Sequence, residues 1–281
     1  MMAPAWGEIK VTELQCPDGA VVVIADHGAH VLSWRPAGNA EAMYLSADSG
    51  FGAGSAIRGG VPVIFPQFAE MGTGKRHGFA RVCDWRRSFA GILEGRAVAR
   101  FELNDSDIDP AYWPHRFALV YEVAVQANQL QLSLSVTNTD THDWSFNAAL
   151  HTYLQVGDVA QIGLAGLQGL RYFDKVSGAQ DQLQQEALLR IVAEVDRVYG
   201  GVHAPLTLHD GARKVRVSQS GFVDAVVWNP GFDKAMTIGD LTPGTSASFV
   251  CVEAASVLVP ITLAPGASWQ GSQFLELQQT A

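Results

Sequence analysis

Alternating hydrophobic and polar residues dominate the chain and predict β-strands. The segment FALVYEVAVQ places Leu119, Tyr121 and Val123 on one face, with the two-residue period of a strand. The segment LQLSLSV repeats this pattern shortly after it. The short link Ala127–Gln129 between the two segments predicts a hairpin, and therefore an antiparallel pair.

Short strands separated by turns are predicted along the rest of the chain. They lie at Val11–Gln15, Val21–Ala25, His30–Arg35, Val98–Leu103, Arg213–Ser218, Ala225–Trp228, Phe249–Ala254 and Ser272–Gln278. Turn sequences such as Pro17-Asp18-Gly19 and Pro265-Gly266 separate them. The best helix candidate is Asp181–Val198, although its spacing fits a strand and a loop equally well. We therefore expect an all-β, antiparallel sandwich or barrel with few short helices.

Length and composition favour one folded domain. Of the 281 residues, 48% are hydrophobic, and no repeat, linker or shift in composition divides them, so residues 1–281 are predicted to form a single domain. The 19 Lys and Arg against 28 Asp and Glu give a formal net charge of −9. This charge argues against a nucleic-acid-binding or membrane-binding surface. Any bound anion must be held by a local cluster of cations.

The cysteines and the hydrophobic runs indicate the cellular setting. Cys16, Cys83 and Cys251 lie far apart and form no CxxC motif, which argues against a disulfide framework or a zinc site. The first residues lack the order of a signal peptide, and no apolar run approaches the roughly 20 residues of a membrane span. We therefore expect a soluble, cytoplasmic protein.

The common cofactor and nucleophile motifs are missing from the sequence. It contains no HExxH or HxH, which disfavours a transition-metal site. It also contains no GxSxG, GxxxxGK[ST] or GxGxxG, which removes the usual serine-hydrolase and nucleotide-binding interpretations. We expect neither a metal nor a cofactor.

Two histidines and one glutamate are candidates for acid–base chemistry. His77 lies among three cations in KRHGFAR, and His151 lies in SFNAALHTYL on a face of small and polar residues. A histidine, with an ordinary pKa near 6.5, can donate or accept a proton close to neutral pH. Glu253 shares its face of the FVCVEAA strand with apolar residues. It is either a surface strand end or a buried base whose pKa desolvation raises.

Other polar residues have plainer interpretations at this stage. His30 is expected to be structural and His203 to be solvated. Asp196 and Arg197, in EVDRVY, are expected on a solvated turn. Arg58, which precedes two glycines in SAIRGGVPVIFPQF, marks either a turn or a cradle for an anion.

Eight motifs in a fixed order resemble those of a known family. They are IRGGVPVIFPQF, HGFAR, WPHRFAL, LSVTNT, ALHTYL, EVDRVY, VVWNP and FVCVEAA. Together they resemble the aldose 1-epimerase (galactose mutarotase-like) superfamily, and within it the hexose-6-phosphate mutarotase branch, from about Gly28 to Trp269. The resemblance implies a large antiparallel β-supersandwich with a sugar cleft on one concave face. It implies interconversion of the α and β anomers of a hexose 6-phosphate, first of all glucose 6-phosphate.

The resemblance also implies roles for seven residues. His151 falls on the acid that protonates the sugar ring oxygen, and Glu253 falls on the base that takes the proton from the C1 hydroxyl. Arg58 and Arg81 fall on phosphate-contacting arginines. The other positions, which contact the substrate or line the cleft, are His77, Asp196 and Gln67. The expected partner is a small-molecule hexose phosphate, and the expected oligomeric state is a monomer.

The chain departs from the branch pattern after WNP. Gly231 stands where the branch usually has an aromatic residue, and the segment from Gly231 to Phe249 differs from the usual form, which leaves the cleft rim and the preferred sugar open. Two alternatives also stay open: a non-catalytic sugar-phosphate-binding or regulatory module, and a mutarotase for unphosphorylated hexoses. A glycosidase is disfavoured because it normally needs two positioned carboxylates.

Overall fold

Twenty β-strands make up about half of residues 9–52 and 54–279, which a computed structural model describes. The first ten are β1 Val11–Gln15, β2 Val21–Ala25, β3 His30–Arg35, β4 Val63–Ile64, β5 Arg86–Leu93, β6 Arg96–Asn104, β7 Phe117–Gln126, β8 Gln129–Asn138, β9 Trp144–Leu150 and β10 Tyr153–Gln155. The others are β11 Gly163–Ala165, β12 Arg171–Asp174, β13 Gln182–Leu183, β14 Leu188–Leu189, β15 Val195–Gly200, β16 Leu206–Asp210, β17 Arg213–Ser220, β18 Asp224–Asn229, β19 Phe249–Leu263 and β20 Ser268–Gln279.

Helical structure is limited to short pieces in the same residues. There is one α-helix, α1 Gly231–Ala235, and there are three 3₁₀ helices at Ala80–Val82, Asp105–Asp107 and Thr245–Ser248. Within the described ranges, none of the helices has the length and apolar character needed to traverse a lipid bilayer.

The strands form three antiparallel sheets. A small sheet has the order β1-β2-β3. A second sheet has the order β13-β12-β15-β18-β19-β9-β4, with β10 also paired to β19, and a third has the order β14-β11-β16-β17-β20-β8-β7-β6-β5. The predicted hairpin is present, with pairing from Phe117 opposite Asn138 to Gln126 opposite Gln129. The all-β, antiparallel prediction with few short helices is confirmed.

The hydrophobic core follows the alternation seen in the sequence. Leu119, Tyr121 and Val123 of β7 are buried in one large cluster, together with Leu132 and Leu134 of β8. Fully burying a side chain of this size stabilises the fold by roughly 1.5–3 kcal/mol before entropy is counted. Val120 and Glu122, which alternate with the buried residues of β7, are more exposed and face away from the core.

The segment from Asp181 to Val198 contains β13, β14 and the start of β15, so the helix interpretation is wrong. Leu189 and Ile191 are buried whereas Arg190 between them is exposed, which is the alternation of an extended chain. Asp196 and Arg197 were expected on a solvated turn, and this is also wrong. They lie within β15, which pairs with β18 along its whole length and with β12 from Arg197 to Tyr199, and this pairing decides the local conformation.

Candidate active site

Six of the seven predicted site residues line one cavity of about 250 Å³. These six are Arg58, His77, Arg81, His151, Asp196 and Glu253. The other lining residues are Ala56, Phe68, Arg76, Lys175, Val226, Trp228, Lys234 and Ile238. Residues that lie far apart in the sequence therefore converge on a space of the size of a small ligand.

His151 and Glu253 form a close pair because their strands are neighbours. His151 follows β9 and precedes β10, and both of these strands pair with β19, which carries Glu253. His151 Nε2 lies 3.3 Å from Glu253 Oε1, and the two side chains are 10% and 1% exposed. Among the described residues, neither carboxylate oxygen of Glu253 nor Nδ1 of His151 has a hydrogen-bond partner. Glu253 is therefore buried and does not lie at a surface strand end.

Burial moves the pKa values of this pair in opposite directions. Desolvation, followed by the charge of Asp196, raises the pKa of Glu253 well above its ordinary value. Desolvation, followed by the charges of Arg58 and Arg81, lowers the pKa of His151. Each of these shifts favours the uncharged form of its group.

Aromatic rings fix the orientation of the His151 imidazole. The ring stacks on Tyr153 with 4.9 Å between centroids and 14° between planes. The edge-to-face neighbours are Trp228 at 5.9 Å and His77 at 5.6 Å. Because the ring is packed on these sides, His151 presents its nitrogens in a fixed direction.

His77 is a neutral, buried neighbour of the pair. Desolvation, followed by the charge of His151, lowers the pKa of His77. The Ala69 amide donates a hydrogen bond of 3.3 Å to His77 Nδ1, so the ring proton is assigned to Nε2. A neutral histidine of this tautomer can donate a hydrogen bond to a ligand but is not the protonated acid.

Two arginines bring positive charge to the same cavity. Arg58 contacts Asp240 through Nε and Nη2, both at 3.0 Å, and its Nη1 donates to the Tyr153 hydroxyl at 3.1 Å. Arg81 Nη2 donates to the Arg76 carbonyl at 2.9 Å. Arg81 Nε is buried, and in the described part of the chain it has no hydrogen-bond partner. Burial lowers the pKa of Arg81 to about 10, so the side chain is still charged at neutral pH.

The glycines after Arg58 allow its backbone to pass tightly over β3. Gly59 and Gly60 have φ angles of 111° and 58°, which favour glycine. A Cβ on Gly60 would lie 2.1 Å from the Val31 carbonyl oxygen and 2.8 Å from His30 Nε2. The buried His30 Nε2 donates to the Gly59 carbonyl at 2.8 Å. The glycines thus form a tight turn that directs Arg58 into the cavity.

Lys175, which no sequence motif indicated as a site residue, forms an ion pair with Asp196. Lys175 Nζ lies 3.0 Å from Asp196 Oδ2 and 5.3 Å from the centroid of the Phe68 ring. The Lys175 amide also donates to the Asp196 carbonyl at 2.8 Å. Desolvation raises the pKa of Asp196, and the Lys175 charge opposes that rise. A single lysine in a turn has no sequence signal, because only the pairing of β12 with β15 brings it to Asp196.

Gln67 lies outside this cavity and lines an adjoining one. Its Nε2 donates to the carbonyl oxygens of Ala69 and Gly74 at 3.0 and 3.3 Å, and its Oε1 accepts from the Gly74 amide at 2.8 Å. The side chain therefore holds the loop that leads to His77. Among the described residues, no group of three or more His, Cys, Asp or Glu side chains is arranged to hold a metal ion.

The segment from Gly231 to Phe249 forms one wall of the cavity. Lys234 and Ile238 line the cavity, and Asp240 reaches Arg58. Gly231 has a φ of 66°, and a Cβ there would lie 2.7 Å from the Glu194 amide nitrogen. An aromatic residue at this position would therefore be strained and would clash with the backbone.

Comparison with known proteins identifies the family. The aldose 1-epimerase family model matches residues 10–275. An Escherichia coli K12 protein named "Putative glucose-6-phosphate 1-epimerase" is 34% identical over 271 residues, which are 90% of this chain and 87% of that protein. A Cenchrus ciliaris protein of the same name is 33% identical over 255 residues, which are 87% of this chain and 78% of that protein.

Solved structures agree with this match. A crystal structure described as a "putative mutarotase" from Salmonella typhimurium aligns with a TM-score of 0.89 and 29% identity, covering 97% of this chain and 91% of that chain. A galactose mutarotase-like protein from Clostridium acetobutylicum, at 15% identity and a TM-score of 0.77, shares the fold. The chain belongs to the aldose 1-epimerase family.

Proposed function

We propose that the protein interconverts the α and β anomers of a hexose 6-phosphate, with glucose 6-phosphate as the first candidate. The observation that carries the proposal is the buried His151–Glu253 pair, which opens into the same cavity as Arg58 and Arg81. The pair suits ring opening, and the arginines suit a phosphate. The names of the curated relatives point to the same substrate.

Anomerisation needs one proton removed and one delivered. Glu253 takes the proton of the C1 hydroxyl while His151 delivers a proton to the ring oxygen, and closure on the other face of the C1 carbonyl reverses both transfers. A pair that holds one proton has the required stoichiometry in each direction. General acid and general base catalysis of this kind contribute about 10²- to 10⁴-fold each.

Phosphate binding supports the acid role of His151. Desolvation, followed by the charges of Arg58 and Arg81, lowers the pKa of His151 in the unliganded site. A phosphate bound to both guanidinium groups offsets these charges and raises the pKa of the imidazole. The bound substrate thereby reduces the part of the His151 shift that comes from the two arginine charges, and so makes protonation of the imidazole easier.

The remaining cavity residues suit the sugar hydroxyls. The Asp196 carboxyl, which lies 3.0 Å from Lys175 Nζ, offers acceptors for hydrogen bonds, and the neutral His77 can donate one. Trp228 and Phe68 supply apolar surface beside the ring of the sugar. None of these contacts requires a phosphate, so they also fit a free hexose.

Conversion of a single anomer tests the proposal. Anomerically pure α-glucose 6-phosphate is mixed with the protein, and formation of the β anomer is followed by NMR beside galactose 6-phosphate, mannose 6-phosphate and free glucose. We expect acceleration over the spontaneous rate for at least one ester, and a smaller acceleration for glucose. Folded protein without any acceleration contradicts the proposal and favours a binding module. Equal acceleration of ester and free sugar favours a mutarotase for unphosphorylated hexoses.

A further inference from the structure

Arg58 already has an anionic partner, whereas Arg81 does not. The Arg58 guanidinium has five N–H groups, of which Asp240 accepts two and Tyr153 accepts one. Arg81 makes no ion pair with any described residue. Without a ligand, the charge of Arg58 is therefore balanced by an ion pair with Asp240, whereas the charge of Arg81 is not balanced by an ion pair with a described residue.

Asp240 is held in place beside Arg58 by the fold. Its neighbour Leu241 is buried in a cluster with Tyr44, Tyr153 and Trp228. The next residue, Thr242, donates its amide to Ser46 Oγ at 3.0 Å.

The loop from Ser46 to Ser49, which binds Thr242, also holds Arg58. The Ser46 amide donates to the Arg58 carbonyl at 3.0 Å, and the Arg58 amide donates to Ser49 Oγ at 2.8 Å. The segment that carries Asp240 and the residue that carries the guanidinium are thus tied to one short stretch of chain. These backbone and side-chain hydrogen bonds therefore fix Asp240 and Arg58 relative to each other.

We propose that Asp240 is a specificity-determining residue, whose carboxylate competes with the phosphate of the substrate for Arg58 and so sets how tightly a phosphorylated sugar binds. This inference rests on the proposed function. A phosphate can use only the N–H groups of Arg58 that Asp240 and Tyr153 leave free. It also experiences repulsion from the Asp240 charge a few ångströms away.

The strength of this competition follows from the solvation of the pair. The side chains of Arg58 and Asp240 are 25% and 34% exposed, so water screens part of their interaction. We therefore expect removal of the negative charge to tighten phosphate-ester binding by about three- to tenfold. Binding of a free hexose should not change, because it places no anion on Arg58.

Asp240→Asn tests the inference with little change in shape, since the amide oxygen can still accept from Arg58. The Kd of glucose 6-phosphate is measured by calorimetry, and KM and kcat are measured for the ester and for glucose. We expect a Kd and KM for the ester about three- to tenfold lower than in the parent, with kcat and the glucose values unchanged. Asp240→Ser provides the same charge change if the first variant folds poorly. Asp233→Asn, an exposed position in the same segment, controls for the change in net charge.

Ester binding that is unchanged or weaker in Asp240→Asn overturns the inference, because Asp240 would then only position Arg58. An equal gain in Asp233→Asn also overturns it, since the effect would come from overall charge. If neither parent nor variant binds the ester, the proposed function itself is contradicted. Measuring binding in the parent thus separates the two failures.

Discussion

At the residue scale, the site combines the buried His151–Glu253 pair with two arginines that differ in their hydrogen-bond partners. Glu253 and His151 have little contact with water, which shifts their pKa values toward the neutral forms. Arg58 is compensated by Asp240, whereas Arg81 has a buried Nε without a partner among the described residues. A bound phosphate could therefore accept the hydrogen bond that Arg81 Nε otherwise lacks.

Replacement of Arg81 is predicted to damage turnover of the phosphate ester selectively. Arg81→Ala removes a charge-assisted contact to the phosphate, so kcat/KM for glucose 6-phosphate should fall about 10- to 100-fold. The value for free glucose should stay within about threefold of the parent. Arg171→Ala, an exposed position outside the cavity, should leave both substrates unaffected. Equal losses on ester and free sugar in Arg81→Ala would argue against phosphate binding at this residue.

Sequence alone can nominate a charged residue in an apolar strand, but not its partner from another strand. Glu253 stood out because its neighbours are apolar, and His151 because it follows a strand face of small residues. Lys175 and Asp240 lie in ordinary turns, and only strand pairing and loop packing bring them to Asp196 and Arg58.

At the element scale, the regular strands could be predicted closely because alternation alone specifies them. The predicted bounds of β1, β2, β3 and β7 are those of the structure. The bounds of β19 were predicted too short, since it continues to Leu263 after an irregularity between Ser256 and Ile261. The helix interpretation of Asp181–Val198 failed because short strands on two different sheets share this segment.

Gly231 is predicted to fix the start of the wall segment, which contributes Lys234 and Ile238 to the lining of the cavity. An alanine at this position must adopt a φ of 66° and would place its Cβ 2.7 Å from the Glu194 amide nitrogen. Gly231→Ala should therefore lower the free energy of unfolding by at least about 1 kcal/mol, and should lower kcat/KM for the ester. Gly239→Ala, in the same segment with open space around its Cβ, should change neither. Chemical denaturation measures the free energy of unfolding, and steady-state kinetics measures kcat/KM for the ester. Equal values of both quantities in Gly231→Ala and Gly239→Ala would contradict the structural role of Gly231.

At the scale of the whole molecule, a protein of net charge −9 holds a cationic cavity above a buried histidine. His30 lies under the Gly59–Gly60 turn, and burial lowers its pKa to about 3. The folded state therefore keeps His30 neutral where the unfolded chain binds a proton. The stabilisation from neutral His30 is complete above pH 6.5 and is lost as the pH falls from 6.5 toward 3.

His30→Gln is predicted to reduce the acid sensitivity of the fold. Glutamine keeps an N–H donor for the Gly59 carbonyl but cannot titrate. Between pH 6.5 and pH 4, the free energy of unfolding should fall by about 3 kcal/mol less in the variant than in the parent. His203→Gln, at an exposed position, should keep the pH dependence of the parent. The free energy of unfolding is measured by urea denaturation at each pH. If it depends on pH in the same way in His30→Gln and in the parent, His30 does not contribute to the acid sensitivity of the fold.

The role of Glu253 as the base of the proposed reaction is tested most directly by measuring both turnover and binding in Glu253→Gln. Glutamine has the shape of the neutral carboxyl group, so the variant should fold, but it cannot take the C1 hydroxyl proton. Anomer exchange of glucose 6-phosphate, measured by NMR magnetisation transfer, should therefore fall at least about 100-fold. The Kd of the ester, measured in the same samples, should stay within a few-fold of the parent. Anomer exchange at the parental rate in the folded variant would show that Glu253 is not the base.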